Sequence, residues 1–117
     1  MLSIGVDIED ISRFKDKTLE ENKAFLDKIY TKDELNYCFK SKNFAQHLAA
    51  RFCAKEAVVK AMSNLYDKTI SYKKIEIIKN PNGSVCVSID IEELKKYKIL
   101  LSISHEKEKA IAFVVVV

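Results

Sequence analysis

The chain has 117 residues, 48% of them apolar and 32% charged. That length suits one domain burying roughly two-thirds of its unfolded surface, and the charge density excludes a bilayer-embedded protein. Twenty Lys and Arg against 17 Asp and Glu leave a net charge of +3. So mild and dispersed an excess argues against a dedicated nucleic-acid arm, and two glycines and one proline exclude a linker-rich or low-complexity chain.

Almost all the basic residues are lysines. Arg13 and Arg51 are the only arginines, which marks them as places where a planar, bidentate fork is wanted. Cys38, Cys53 and Cys86 are odd in number and form no C-x-x-C pair. They read as small core residues in a reducing cytosol, not as a disulfide framework or a thiolate zinc site. Asp7, Glu9 and Asp10 interrupt the apolar opening, so it does not read as a signal peptide. The closing run Ile111 to Val117 is too short to span a bilayer and reads as a buried strand.

In chain order, Leu2 to Ile8 is a short strand leading into the acidic cluster. Ile11 to Phe14 starts a helical turn, and Leu19 to Tyr30 is helical with Phe25, Leu26 and Ile29 on one side. Thr31 with Glu34 three residues on is a capping box, so a second helix opens there and buries Leu35, Cys38 and Phe39. Ser41 or Asn43 caps a long helix running to about Leu65. Ile75 to Ile89 reads as a hairpin around Asn80-Pro-Asn-Gly83. Asp90 and Glu93 open a short helix through Tyr97. Two strands, Ile99 to Ser104 and Ala110 to Val117, close the chain across the charged connector His105 to Lys109. The order implies an α+β domain over residues 1–117, with a mainly antiparallel sheet packed on a long central helix.

The long helix carries a carboxylate where none is expected. At 100° per residue, Glu56 falls about 40° from Phe52, inside the stripe of Phe44, Ala45, Leu48, Val59 and Met62. Ala50, Ala54, Ala57 and Ala61 line the other side and invite close packing. An ion pair with Lys60 at i+4 is one explanation. The other is a cation in a cleft, since Mg²⁺ takes one or two carboxylates and completes its shell with water and phosphate. Asp7 at the end of the first strand supplies a second carboxylate, unless it only caps the following turn; Glu9 and Asp10 compete for the same roles. Arg51, Lys55 and Lys60 flank the stripe, as a solvated rim or as partners of a pyrophosphate. His105 closes a strand beside Ser104. His47 falls on an outer face of the helix, and the two histidines do not make a zinc site. Gly-rich phosphate loops and nucleophile elbows are absent from the sequence.

Taken together, these segments resemble one family. Ile4-Gly-Val-Asp-Ile8 with Ser12-Arg13-Phe14, Phe25 to Tyr30 with Thr31, Glu34-Leu35 and Tyr37, Ala50-Arg-Phe-Cys-Ala-Lys-Glu-Ala57, and Ser102-Ile-Ser-His105 with Ala110-Ile-Ala112 are similar, in order and spacing, to the blocks of the holo-acyl-carrier-protein synthases. The resemblance implies the 4'-phosphopantetheinyl transferase fold and a cytoplasmic enzyme of fatty acid biosynthesis. Such enzymes move the phosphopantetheine arm of coenzyme A to a serine of acyl carrier protein and release adenosine 3',5'-bisphosphate. It further implies Mg²⁺ on Asp7 and Glu56, with Glu56 and Lys60 in the chemistry. Arg51, Lys60, Ser104 and His105 would hold coenzyme A, and Arg13, Lys40 and Lys42 would meet the acidic carrier. The assembly implied is a homotrimer with shared sites. Ser63 to Lys68 lacks the glycines this family often carries after the central helix, which predicts a differently shaped pocket. The competing readings are a non-catalytic α+β binding or oligomerisation module and a weak RNA-binding protein. The second lacks clustered basic residues interleaved with aromatics.

Overall fold

A computed structural model describes residues 2–117. Strand β1 (Ser3–Asp10) opens the chain and runs two residues past the predicted end, because it pairs antiparallel with β5 (Lys109–Val116) along its whole length. Asp7 is therefore inside the strand, opposite Ala112. A 3-10 turn over Ile11–Phe14 follows. Helix α1 begins at Lys23 and not at Leu19, and spans Lys23–Ile29. Before it, Thr18 accepts from the backbone of Asn22 and of Glu21, through its carbonyl and hydroxyl respectively, and these turn contacts replace a helical turn.

Helix α2 (Lys32–Phe39) carries the predicted capping box in full. The Thr31 hydroxyl accepts from the Glu34 amide at 3.2 Å, and a Glu34 oxygen accepts from the Thr31 amide at 2.8 Å. Helix α3 (Phe44–Met62) ends earlier than its apolar pattern suggests. Asn43 occupies its N-cap without a side-chain cap bond, and the Ser41 hydroxyl instead accepts from the Asn43 amide at 3.0 Å. Strands β2 (Ile75–Lys79) and β3 (Val85–Ile89) form the predicted hairpin, with Gly83 alone taking a positive φ, +90°, among the described residues. The stretch after Asp90 is a single 3-10 turn, Glu92–Leu94, and not a helix through Tyr97. Strand β4 (Ile99–His105) completes a three-stranded antiparallel sheet in the order β1-β5-β4.

The alanine stripe of α3 is what lets the helix lie flat on that sheet. Ala50, Ala54, Ala57 and Ala61 are all buried within the subunit. A Cβ on Gly5 would lie 2.0 Å from the Ala57 carbonyl oxygen, so β1 and α3 meet backbone to backbone there. The Ser3 hydroxyl donates to the Ala61 carbonyl at 2.6 Å and fastens the end of the contact. Leu48, Cys53, Val58 and Met62 fill the remaining faces, so α3 is enclosed nearly all round.

Lys55 is the clearest departure from the expected rim. It is fully buried, 2.6 Å from Glu34. Its ammonium donates to the carbonyls of Ile29, Tyr72 and Ile75 at 2.8, 2.9 and 2.6 Å. Burial pushes its pKa down while Glu34 opposes that shift. The second Glu34 oxygen accepts from the Ile77 amide at 2.8 Å. One ion pair thus ties α2, α3, the end of α1 and the start of β2 into one unit.

Candidate active site

Strand alternation sets the inventory. Ser3, Gly5, Asp7 and Glu9 point toward α3, and Ile4, Val6 and Ile8 point away. Asp7 and Glu9 are thereby neighbours on one face, each with only 12% of its side chain exposed. Burial, reinforced by the neighbouring Asp7 carboxylate, raises the Glu9 pKa from 4.5 to about 7, with Arg13 opposing the shift. The Arg13 guanidinium lies 2.5 Å from Glu9 and over the rings of Phe14 and Phe52. Asp10 pairs with Lys109.

From the last turn of α3, Lys60 donates to Asp7 Oδ1 and to the Val6 carbonyl, both at 3.0 Å. The i+4 pair between Glu56 and Lys60 does not form. Glu56 is half-buried, and its Oε1 accepts a 2.6 Å hydrogen bond from the hydroxyl of Tyr72. Burial and the Glu56 contact together push the Tyr72 phenol up to about 12. Asp7 and Glu9 contribute to that shift as well, so Tyr72 sits in the field of all three carboxylates. Asp7 Oδ2 is buried and without a hydrogen-bond partner among the described residues. A buried carboxylate oxygen without a partner is costly, and a hydrogen-bond donor or a cation would satisfy it. No group of three or more His, Cys, Asp and Glu among the described residues is placed to hold a metal by itself. The arrangement suits a hard ion that takes two carboxylates and leaves the rest of its shell to water and substrate.

A second group forms on the other flank of α3. Arg51, His47, Tyr37, Lys79 and His105 line a cleft of about 410 Å³ between α3, the β2–β3 hairpin and β4. The Arg51 guanidinium stacks on Tyr37, 4.1 Å from the ring centroid, and its Nε is buried and unpartnered among the described residues. His47 is half-buried, not exposed as the helical wheel suggests, and burial lowers its pKa. His105 Nε2 lies 3.1 Å from the Gln46 amide. Ser104 does not join this cleft. Alternation along β4 puts it on the outer sheet face opposite Ile111. Lys40 and Lys42 are exposed, and Lys42 borders a separate hollow with Lys15 and Lys107. A third cleft, about 480 Å³, lies beside Tyr72, between the end of α3 and the glycine-free segment, lined by Met62, Ser63, Tyr66, Lys68 and Ile70.

The profile of the 4'-phosphopantetheinyl transferase superfamily matches residues 3–114. The chain belongs to that superfamily. Among curated relatives in it, a holo-acyl-carrier-protein synthase from Aquifex aeolicus is 42% identical over 113 residues, covering 93% of each chain. The synthase from Thermodesulfovibrio yellowstonii is 42% identical and covers 97% of this chain and 96% of its own. Among solved structures, the Helicobacter pylori synthase in complex with coenzyme A superimposes with a TM-score of 0.83 at 31% identity, covering 97% of this chain and 99% of the other. The resemblance drawn from the sequence and the α+β fold both hold, and this superfamily member is a transferase.

One participant escaped the sequence, and another was left undecided by it. Tyr72 meets Glu56 across sixteen positions, a contact created only by the packing of the segment before β2 against α3. Glu9 was one of three competing acids; its place at i+2 from Asp7 on a strand was the available signal. Among the described residues, no helix is long and apolar enough to cross a membrane.

Proposed function

We propose that this chain moves the 4'-phosphopantetheine arm from coenzyme A to a serine of apo-acyl carrier protein with Asp7 and Glu56 as its working carboxylates. The observation that carries the assignment is the unpartnered Asp7 Oδ2, enclosed beside Glu9 and on the same side of α3 as Lys60. Asp7 and Glu56 would hold Mg²⁺, which when bound neutralises the pyrophosphate as charge moves to the leaving group. The serine oxygen forms a bond to the β-phosphorus while the bond to adenosine 3',5'-bisphosphate breaks. Glu56 accepts the serine proton, directly or through one water. Lys60 neutralises Asp7 at rest and offers its exposed ammonium to the pyrophosphate. Arg51 and His105 suit the adenosine phosphates, since they line one cleft together with Lys79 and His47.

These two groups of residues flank α3 on opposite sides, which supports an assembly in which neighbours complete each other's sites. The outer face of the sheet supplies the surface. Ile4, Val6, Ile8, Leu100, Ile111 and Phe113 form an apolar patch, each between 41% and 59% exposed. The alanines of α3, spent inside the subunit, contribute nothing to it. A homotrimer joined on this face would also bring Ser104, on the same side, to the junction. Arg13, Lys40 and Lys42 are solvent-accessible and suit an acidic carrier. Three free cysteines suit a cytoplasmic location, with residues 1–117 as one transferase domain.

Incubation with coenzyme A, Mg²⁺ and apo-acyl carrier protein should add one phosphopantetheine to the carrier by mass spectrometry. Asp7→Asn and Glu56→Gln should each abolish most of that gain with the circular dichroism unchanged. Full transfer in either variant would remove that residue from the mechanism.

A further inference from the structure

Glu56 is not held by its own helix. Its carboxylate is gripped from outside, by a tyrosine whose position is fixed twice over. The Tyr72 hydroxyl donates to Glu56 Oε1 at 2.6 Å. The Tyr72 ring leans on Phe52, with centroids 5.5 Å apart and planes inclined by 58°. The Tyr72 backbone carbonyl accepts from the buried Lys55 ammonium at 2.9 Å. Ring and backbone are therefore anchored to the same helix that carries Glu56, one turn before it and at the adjacent position. From this geometry we infer that Tyr72 is the positioning residue of Glu56: it fixes one carboxylate oxygen and leaves the other to face the reaction.

The inference rests on the role proposed above for Glu56. A glutamate has three rotatable side-chain bonds, and a half-buried one without a partner samples several rotamers. A charge-assisted hydrogen bond of this length selects one of them. The donor is a phenol, which ordinarily keeps its proton near neutral pH and so has a hydrogen to give. The Lys55–Glu34 pair matters to the site for the same reason. It lies too deep to touch a substrate, yet it secures the backbone from which Tyr72 reaches Glu56.

Tyr72→Phe isolates the claim, because phenylalanine keeps the ring against Phe52 and leaves the carbonyl bond to Lys55 intact. The variant is compared with wild type by four readouts: kcat, KM for coenzyme A, coenzyme A binding measured calorimetrically without carrier protein, and melting temperature. A positioning role predicts that kcat falls roughly tenfold or more, the range of a hydrogen bond to a charged group. KM and binding should stay within about twofold, and the melting temperature within a few degrees. Unchanged kcat overturns the inference. So does a loss of kcat accompanied by weaker coenzyme A binding or a collapsed melting temperature, which would make Tyr72 a substrate contact or a structural residue. Glu56→Gln, run in parallel, separates the two readings. Wild-type transfer in Glu56→Gln removes the role of Glu56 itself, and the inference with it. Lost transfer there with full transfer in Tyr72→Phe removes only the positioning role.

Discussion

Glu9 and His105 are the two ends of one cross-strand row, each paired in register with Ala110 between them. All three point toward α3, and the helix runs over the alanine in the middle. Two strand spacings separate the ends by about 10 Å, with the helix standing between them. Acid gathers on one side and Arg51 with His105 on the other. A single subunit holds both halves of the proposed site but not facing each other.

That relationship predicts complementation. Asp7→Asn and Arg51→Ala should each be inactive alone. Unfolded together in equal amounts and refolded, they should recover about a quarter of wild-type transfer, the statistical share of junctions with one intact contribution from each neighbour. No recovery, with mixed oligomers confirmed by native mass spectrometry, would place the complete site in one subunit. Ile8→Lys on the outer sheet face should lower both the oligomer mass in sedimentation and the transfer rate.

The Glu9 carboxyl gives a pH signature. Its pKa rises from 4.5 unfolded to about 7 folded, so the folded state holds its proton more tightly. For a raised carboxylate, stability is greatest below 4.5 and is lost as pH climbs through about 7. Metal-free Glu9→Gln should therefore melt higher than wild type at pH 8, and the difference should shrink toward pH 5. Equal melting temperatures at pH 8 would show that Arg13 fully compensates the charge.

Arg13 is only loosely committed within the subunit. Its side chain is 55% exposed even while it pairs with Glu9. Arg13→Ala should raise KM for carrier protein by roughly tenfold, equivalent to about 1.4 kcal/mol, and leave KM for coenzyme A nearly unchanged. Wild-type transfer should weaken with added salt, since exposed charge pairs are screened. An equal effect on both substrates would place Arg13 in the chemistry or the fold.

The buried pair is a matter of stability. Lys55→Met strands the Glu34 carboxylate and frees three carbonyls, and should cost about 3–5 kcal/mol in urea unfolding. Adding Glu34→Leu should recover part of that loss by removing the stranded charge. A cost near zero for Lys55→Met alone would show that the buried pair and its three carbonyl contacts add nothing net to stability.

The sequence by itself determined the strands, the capping box at Thr31, the hairpin with its one glycine at positive φ, and the anomaly of Glu56. Each of these is a local property: a period, a cap, a turn, or a charge out of phase with its helix. It also marked Asp7, because strand and helix motifs coincided with a known family. The tertiary structure decided everything that depends on which surfaces meet. A helical wheel treats Lys55 and Lys60 alike as basic residues beside an apolar stripe. Only the packing of α2 and β2 buries Lys55 on Glu34, and only the close approach at Gly5 brings Lys60 to Asp7. The wheel likewise marked the alanine stripe for close packing without naming what packs there; β1 and β5 cover it, and the far side of the sheet stays exposed. Tyr72 and Glu56 stand sixteen residues apart with no shared pattern, so their hydrogen bond exists only because the chain before β2 folds back on α3. Periodicity fixes which way a side chain points on its own element; what it meets there is set by the other elements.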